Sequence, residues 1–423
     1  MPYDTVYTGN FYQNGEFEKL AIGVTGGKIA RIAKAIPGER AIELPGAVFP
    51  GGIDTHVHFR DPGETQKEDF STGTTAAIYG GTTTVFDMPN NLSPITDYEA
   101  YERKLGIVRR KAFSDFGLYS MYIPGNGSVI HEDSASLKIY LGGSTNTVGI
   151  GDLGNKDSKF LNDFGRPVVF HAEDEECLKS TKQEPKSLRE HNLYRPERCE
   201  WKAYDTVRRL ALTKPVAAHV SSIPPAFDFG NILQEVTPHH MLLHDSMDLG
   251  PWGKVNPPLR DRTTQERVLT SFLDGRFFMV SSDHAPHAEE DKLEFESAKA
   301  GIIGVETRLP ILLALVSKGI LPTSLMAKTS SENPAKLFEL KKGKIDIGYD
   351  ADFYSVDLKK VNRINQERLH SMITASPFHG FDAVFPQYVV VGGNVALEKG
   401  EMIEDHFGQY LSFKKGRVEN EQE

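Results

Sequence analysis

Between residues 47 and 284, short apolar runs with strand character alternate with longer polar or amphipathic stretches. The runs fall at 47–57, 82–88, 116–122, 137–141, 167–171, 215–220, 241–244 and 277–282, and residues 98–111, 200–213 and 264–274 fit intervening helices. Eight strands separated in this way predict an α/β fold, a (β/α)8 barrel over 47–344. A doubly wound sheet shares the alternation, but it normally carries a glycine-rich turn after its first strand, and no GxGxxG follows any of these runs. The ends of the chain have another rhythm. Short strand-like pieces split by glycines fill residues 1–46 and return around 350–356 and 388–393. This predicts one small β-sandwich built from both termini, 1–46 with 345–423. The charged tail from Lys414 to Glu423 is expected to fray.

Several of these strands end in a chemical group. The first ends in Thr55-His56-Val57-His58-Phe59-Arg60. Residues two apart on a strand point to the same side, so His56 and His58 offer nitrogens to one cation, and Arg60 continues the alternation. A guanidinium opposes cation binding unless an anion lies between, which points to an anionic substrate. Two histidines satisfied in a polar loop would give the same short motif. Later strands shift the balance. Phe170-His171-Ala172-Glu173 and Ala217-Ala218-His219-Val220 each place an imidazole at a strand end, where a barrel builds its active site. Val280-Ser281-Ser282-Asp283 supplies a carboxylate able to ligate metal and exchange protons. The fourth run places Lys138 among apolar residues, where a bare ammonium is costly. Either its stem carries the charge to water or to a carboxylate, or the neutral amine takes up carbon dioxide, and the resulting carbamate bridges two cations.

At 423 residues the chain has room for a barrel of ~250 residues and a second module. Its 39% hydrophobic and 25% charged residues are an ordinary globular balance, without a run of ~18 apolar residues to cross a bilayer. The opening Met1-Pro2-Tyr3-Asp4-Thr5 has no basic region followed by an apolar one, so a cytoplasmic location is expected. A formal net charge of −10 argues against nucleic acid as a partner and leaves a small anion, held by local positive charge. Cys177 and Cys199 are the only cysteines and form no CxxC pair. That argues against a disulfide scaffold or a thiolate zinc site and leaves histidine and oxygen as ligands.

The segment from His56 to Gly63, His-Val-His-Phe-Arg-Asp-Pro-Gly, and Asp283-His284-Ala285-Pro286-His287 followed by Lys292 resemble the two signatures of the dihydroorotases of the amidohydrolase superfamily. Asp87-Met88-Pro89-Asn90, the stretch from Lys254 to Arg260 and the stretch from Ala300 to Thr307 support the likeness, which covers essentially the whole chain. The resemblance implies a metal-filled barrel with a flanking β-sandwich. It also implies reversible hydrolysis of the cyclic amide of (S)-dihydroorotate to N-carbamoyl-L-aspartate, in pyrimidine synthesis. It assigns His56, His58 and Asp283 to one metal and His171 and His219 to another, with carboxylated Lys138 as the bridge. Zn2+ is the expected metal, two per chain, and Asp283 the catalytic proton carrier. Arg60, Asn90 and His287 are assigned to the substrate carboxylate or the adjacent ring edge, and Asn256 with the backbone at Ala300 and Gly301 to the ring. Many bacterial members use aspartate as the bridge, whereas the Lys-Ile-Tyr-Leu context here resembles the lysine-bearing members.

Allantoinases and hydantoinases share such a barrel, but their substrates lack the ring carboxylate that Arg60 and His287 would fit. A non-catalytic barrel serving as an assembly partner is disfavoured because every implied ligand position is filled. A homodimer is the base-rate expectation, and association with aspartate carbamoyltransferase stays open. Residues 142–147 read equally as a mobile lid or an ordinary turn.

Overall fold

The computed structural model describes residues 3–37, 41–151, 153–181, 183–224, 228–403 and 408–414, so the expected frayed tail lies outside the described residues beyond Lys414. Two eight-stranded sheets organise the chain. The first contains Gly52–Val57, Thr82–Asp87, Asp115–Met121, Ser136–Tyr140, Val168–His171, Pro215–Ala217, Leu233–Val236 and Met279–Val280, in chain order and all parallel. A bridge from Val57 to His284, reinforced by the His58 N–H donating to the His284 carbonyl at 2.8 Å, joins the two edges into a barrel. Helices over Phe70–Tyr79, Tyr98–Val108, Glu197–Arg209 and Arg262–Leu273 lie between strands. Asp69, Asp97 and Asp261 start three of these helices by accepting first-turn backbone N–H groups.

A fully buried ion pair fixes the closure. Arg308 Nε lies 3.3 Å from Asp54 Oδ2 on the first strand, and its other nitrogens donate to the Val280 carbonyl at 2.8 Å and to Thr82 Oγ1 at 3.1 Å. Asp54 Oδ1 also accepts the Ser282 N–H at 3.1 Å. The strands bearing His56 and Asp283 are thereby tied together just below those residues.

The second sheet interleaves the chain ends. Its order is Glu401–Met402, Asn394–Glu398, Tyr388–Val391, Phe353–Val356, Ala41–Pro50, Thr5–Gln13, Glu16–Thr25 and Lys28–Ala33. Phe353 packs edge-to-face on Tyr7 and Phe11, with centroids 5.6 Å apart in each case.

Three expectations need correction. The run at 47–57 is two strands: residues up to Pro50 pair in the terminal sheet, and a new strand begins at Gly52. A Cβ on Gly51 would sit 2.2 Å from Thr83 Oγ1, so only glycine allows this close crossing. The seventh barrel strand is Leu233–Val236, not 241–244, where Pro238–Leu242 is helical after the Thr237 cap. The apolar triplet Met241-Leu242-Leu243 outweighed a strand containing Gln234 and Glu235, yet Glu235 is the residue that faces the site. Finally, Cys177 and Cys199 form a disulfide between two helical segments, with Cα atoms 5.3 Å apart.

Candidate active site

Four barrel strands deliver imidazole or amine groups to one end. His56 and His58 leave the first strand, Lys138 lies on the fourth, His171 ends the fifth and His219 follows the sixth. Asp283 follows the eighth. Every residue expected at the site except His287 lines one cavity, together with Tyr140, Ser144, Thr145 and Ala285. His287 stands behind it, with Nε2 3.0 Å from the Ala300 carbonyl and 3.3 Å from an Arg60 nitrogen.

The rings are aimed by partners on their outer nitrogens. His56 Nδ1 meets Glu235 Oε1 at 2.7 Å, His58 Nδ1 meets Asn90 Oδ1 at 2.6 Å, and His171 Nε2 meets Glu173 Oε2 at 2.9 Å. Each acceptor selects the tautomer with its proton on that outer nitrogen, leaving the inner lone pair free. The inner atoms converge. His56 Nε2 and His58 Nε2 lie 3.4 and 3.1 Å from Asp283 Oδ1, and His171 Nδ1 lies 3.1 Å from His219 Nε2. Lys138 Nζ is 3.4 Å from His56 Nε2. Burial drives His58 down to about 3 and lowers His171 and His219 as well, so these rings are neutral near pH 7. Burial opposes ionisation of Asp283, but its interactions with His56, His58 and His219, including a hydrogen bond with His58, hold its carboxyl well below the usual carboxylate range. Neutral imidazoles with inward lone pairs around an anionic oxygen are the donor set a divalent cation requires.

The backbone at this end is unusual. Arg60, His219 and Asp283 have φ of 60°, 39° and 49°, left-handed conformations that cost non-glycine residues ~1–3 kcal/mol each. Packing elsewhere in the barrel sustains them, and they turn three functional side chains toward one cavity.

Further polar groups line the cavity around the donor set. Arg60 is 3% exposed and one terminal nitrogen, Nη1, has no hydrogen-bond partner. Asn90 Nδ2 donates to the Thr145 carbonyl at 3.1 Å, and Thr145 Oγ1 donates to the Ala300 carbonyl at 3.2 Å, so the 142–147 segment lies across the cavity. Asn256 Oδ1 is 3.0 Å from His191 Nε2.

Four contributors escaped the sequence reading. Glu235 sits in the strand that was misplaced. Glu173 follows His171 by two residues, the same alternation that flagged His58, and it was quoted without a role. Arg195 pairs with Glu173, with Nε 3.1 Å from Oε1, and no local pattern marks it. Tyr140 lies two residues after Lys138 and lines the cavity, with its hydroxyl unpartnered.

Comparisons with known proteins agree with this geometry. The amidohydrolase family model matches residues 47–125 and 235–396. A dihydroorotase of Thermoplasma volcanium is 51% identical over 408 residues, covering 96% of this chain and 98% of its own length. One from Methanosarcina acetivorans is 35% identical over 459 residues, covering 100% and 98%. Among solved structures, an L-hydantoinase (dihydropyrimidinase) from Arthrobacter aurescens superposes with a TM-score of 0.89 at 26% identity, covering 97% of this chain and 100% of its own. A D-hydantoinase (dihydropyrimidinase) from a Thermus species gives 0.85 at 26%, covering 97% and 99%. The fold is thus shared with hydantoinases while the sequence follows the dihydroorotases, and the chain belongs to the amidohydrolase family, with the dihydroorotases as its kin over nearly its whole length.

Proposed function

We propose that this chain is a dihydroorotase, which reversibly hydrolyses the cyclic amide of (S)-dihydroorotate to N-carbamoyl-L-aspartate. The observation that carries the substrate assignment is Arg60, a buried guanidinium beside the donor set with one nitrogen left unpartnered. Such a group calls for an anion inside the cavity, and the ring carboxylate of dihydroorotate supplies one.

The residues fit two divalent ions of the zinc type, His56, His58 and Asp283 for one and His171 and His219 for the other, which would polarise the amide carbonyl and acidify the attacking water. Lys138 is the proposed bridge. Burial takes its amine down to about 8, against the opposing charges of Glu235 and Asp283, so more of it is neutral at pH 7 than in a free lysine. The neutral amine adds carbon dioxide, releases a proton and becomes a carbamate. Asp283 takes the proton of the attacking water and returns it to the departing ring nitrogen. Arg60, Asn90 and His287 hold the carboxylate edge, while Asn256 and the backbone at Ala300 and Gly301 hold the ring.

The test is ring opening of dihydroorotate by the purified chain, followed in the ultraviolet, with metal determined on the same sample. Turnover with about two metals per chain, reduced about 10²- to 10⁴-fold by Asp283→Asn, is the expected result. Faster turnover of 5-substituted hydantoins than of dihydroorotate would overturn the assignment.

A further inference from the structure

Lys292 closes the second signature-like segment, yet no step of the reaction uses it. It ends the short turn Glu289–Lys292 and is 3% exposed. Its ammonium forms no ion pair among the described residues. Instead it donates to three backbone carbonyls, those of Pro251 at 3.2 Å, Lys299 at 2.7 Å and Gly301 at 2.8 Å, and lies 6.0 Å from the centre of the Trp252 ring. Burial, followed by the nearby Lys254 and Arg60 charges, pushes it down to about 7. A buried charge held only by neutral oxygens is destabilising compared with an apolar side chain of similar length. The reason for its presence therefore lies in what it holds.

It holds a segment of the cavity wall. The Lys299 N–H donates to the Asp291 carbonyl at 3.1 Å and the Gly301 N–H to the Lys254 carbonyl at 2.9 Å. Lys254 Nζ grips the same loop further back, donating to the Phe295 carbonyl at 2.7 Å. The Ala300 carbonyl contacts His287 Nε2 at 3.0 Å and accepts from Thr145 Oγ1 at 3.2 Å. Among the described residues, only the Ala300 N–H of this stretch has no acceptor. In a trans peptide a carbonyl and the following N–H point in opposite directions. Pulling the Lys299 carbonyl onto Lys292 thus sends the Ala300 N–H the other way, and Ala300 lines the cavity.

We propose that Lys292 is a positioning residue: by clasping the Lys299 and Gly301 carbonyls, it presents the Ala300 N–H as a fixed donor to a carbonyl oxygen of the substrate ring. The assignment rests on the cyclic-amide reading of the cavity. It makes Lys292 a determinant of ring binding rather than of the chemical step, which takes place at the donor set.

The experiment compares wild type, Lys292→Met and Lys292→Gln for KM and kcat with dihydroorotate, alongside metal content. Lys292→Met raises KM about tenfold while kcat stays within about threefold, and metal content is unchanged. Lys292→Gln, which keeps two donors without the charge, falls between. An unchanged KM in both variants overturns the proposal, as does a parallel fall of kcat and metal content. Failure of both variants to fold also counts against it, because the lysine would then be a structural clasp. A wild-type chain inactive on dihydroorotate would instead overturn the substrate assignment, so the two failures are distinct.

Discussion

Among the described residues, two clusters gather acidic or imidazole groups tightly enough to hold a cation: His56, His58 and Asp283 at the barrel mouth, and Asp115, Asp350 and Asp352 where the barrel meets the terminal sheet. The second is filled by the chain itself. Lys342 lies among its three carboxylates, 2.7 Å from Asp352 and 2.9 Å from Asp350, and against the pull of burial their charges raise it well above the usual lysine value. Lys138 is just as buried, but its nearest polar contact is an imidazole nitrogen at 3.4 Å, and burial lowers it to about 8. The same residue type thus completes one cluster and leaves the other open. The difference is the carboxylate count, and it separates an ion group neutralised by the chain's own lysine from a candidate cation site.

The contrast breaks most visibly at the lysines. Lys342→Met strands the two buried carboxylates of Asp115 and Asp352, while the half-buried Asp350 keeps Lys28, and should lower unfolding stability by about 3–5 kcal/mol, with kcat unchanged in the protein that still folds. Lys138→Met removes an unpaired buried ammonium, so stability of the metal-free protein holds or rises while metal stoichiometry and activity fall. Denaturant titration with metal analysis reads both, and a large stability loss in Lys138→Met would erase the distinction. A smaller effect is expected at Glu235, which orients His56: Glu235→Gln should weaken metal affinity about 10- to 100-fold, measured by competition with a chelator.

The pH dependence of stability sharpens the contrast further. Lys292 titrates at about 7 in the folded chain and 10.5 unfolded. Between these values the unfolded state binds the extra proton, so Lys292 makes stability rise with pH across that window. Lys342, raised, acts in the opposite sense: its stabilisation is full below 10.5 and is lost only as pH climbs through its folded value. Denaturant midpoints from pH 7 to 10.5 should therefore show a flatter slope in Lys292→Met than in wild type.

The barrel was legible because its strands are apolar runs, and the candidate site because imidazole, amine and carboxylate groups stand at their ends. His56, His58, His171, His219 and Asp283 could be read jointly in this way, since each alone has an ordinary structural explanation and only their recurrence at strand ends points to one site. Glu235 could not, since Leu233–Val236 is half polar and a more apolar stretch follows it. The partnership of Cys177 with Cys199 was equally hidden: a separation of 22 residues says nothing about geometry until two helices are packed. Lys342 lies in the sequence Lys341-Lys342-Gly343-Lys344, which has the look of a solvated charge run, and only the fold shows that it is buried.

The interleaved terminal sheet also sets an order of assembly. Ala41–Pro50 pairs on one side with Thr5–Gln13 and on the other with Phe353–Val356. During synthesis the first partner is already available, whereas the second emerges about 300 residues later, at ~5–20 residues per second. For much of that interval one edge of Ala41–Pro50 is unpaired, at the stage when a nascent chain is open to association with its neighbours or capture by a chaperone.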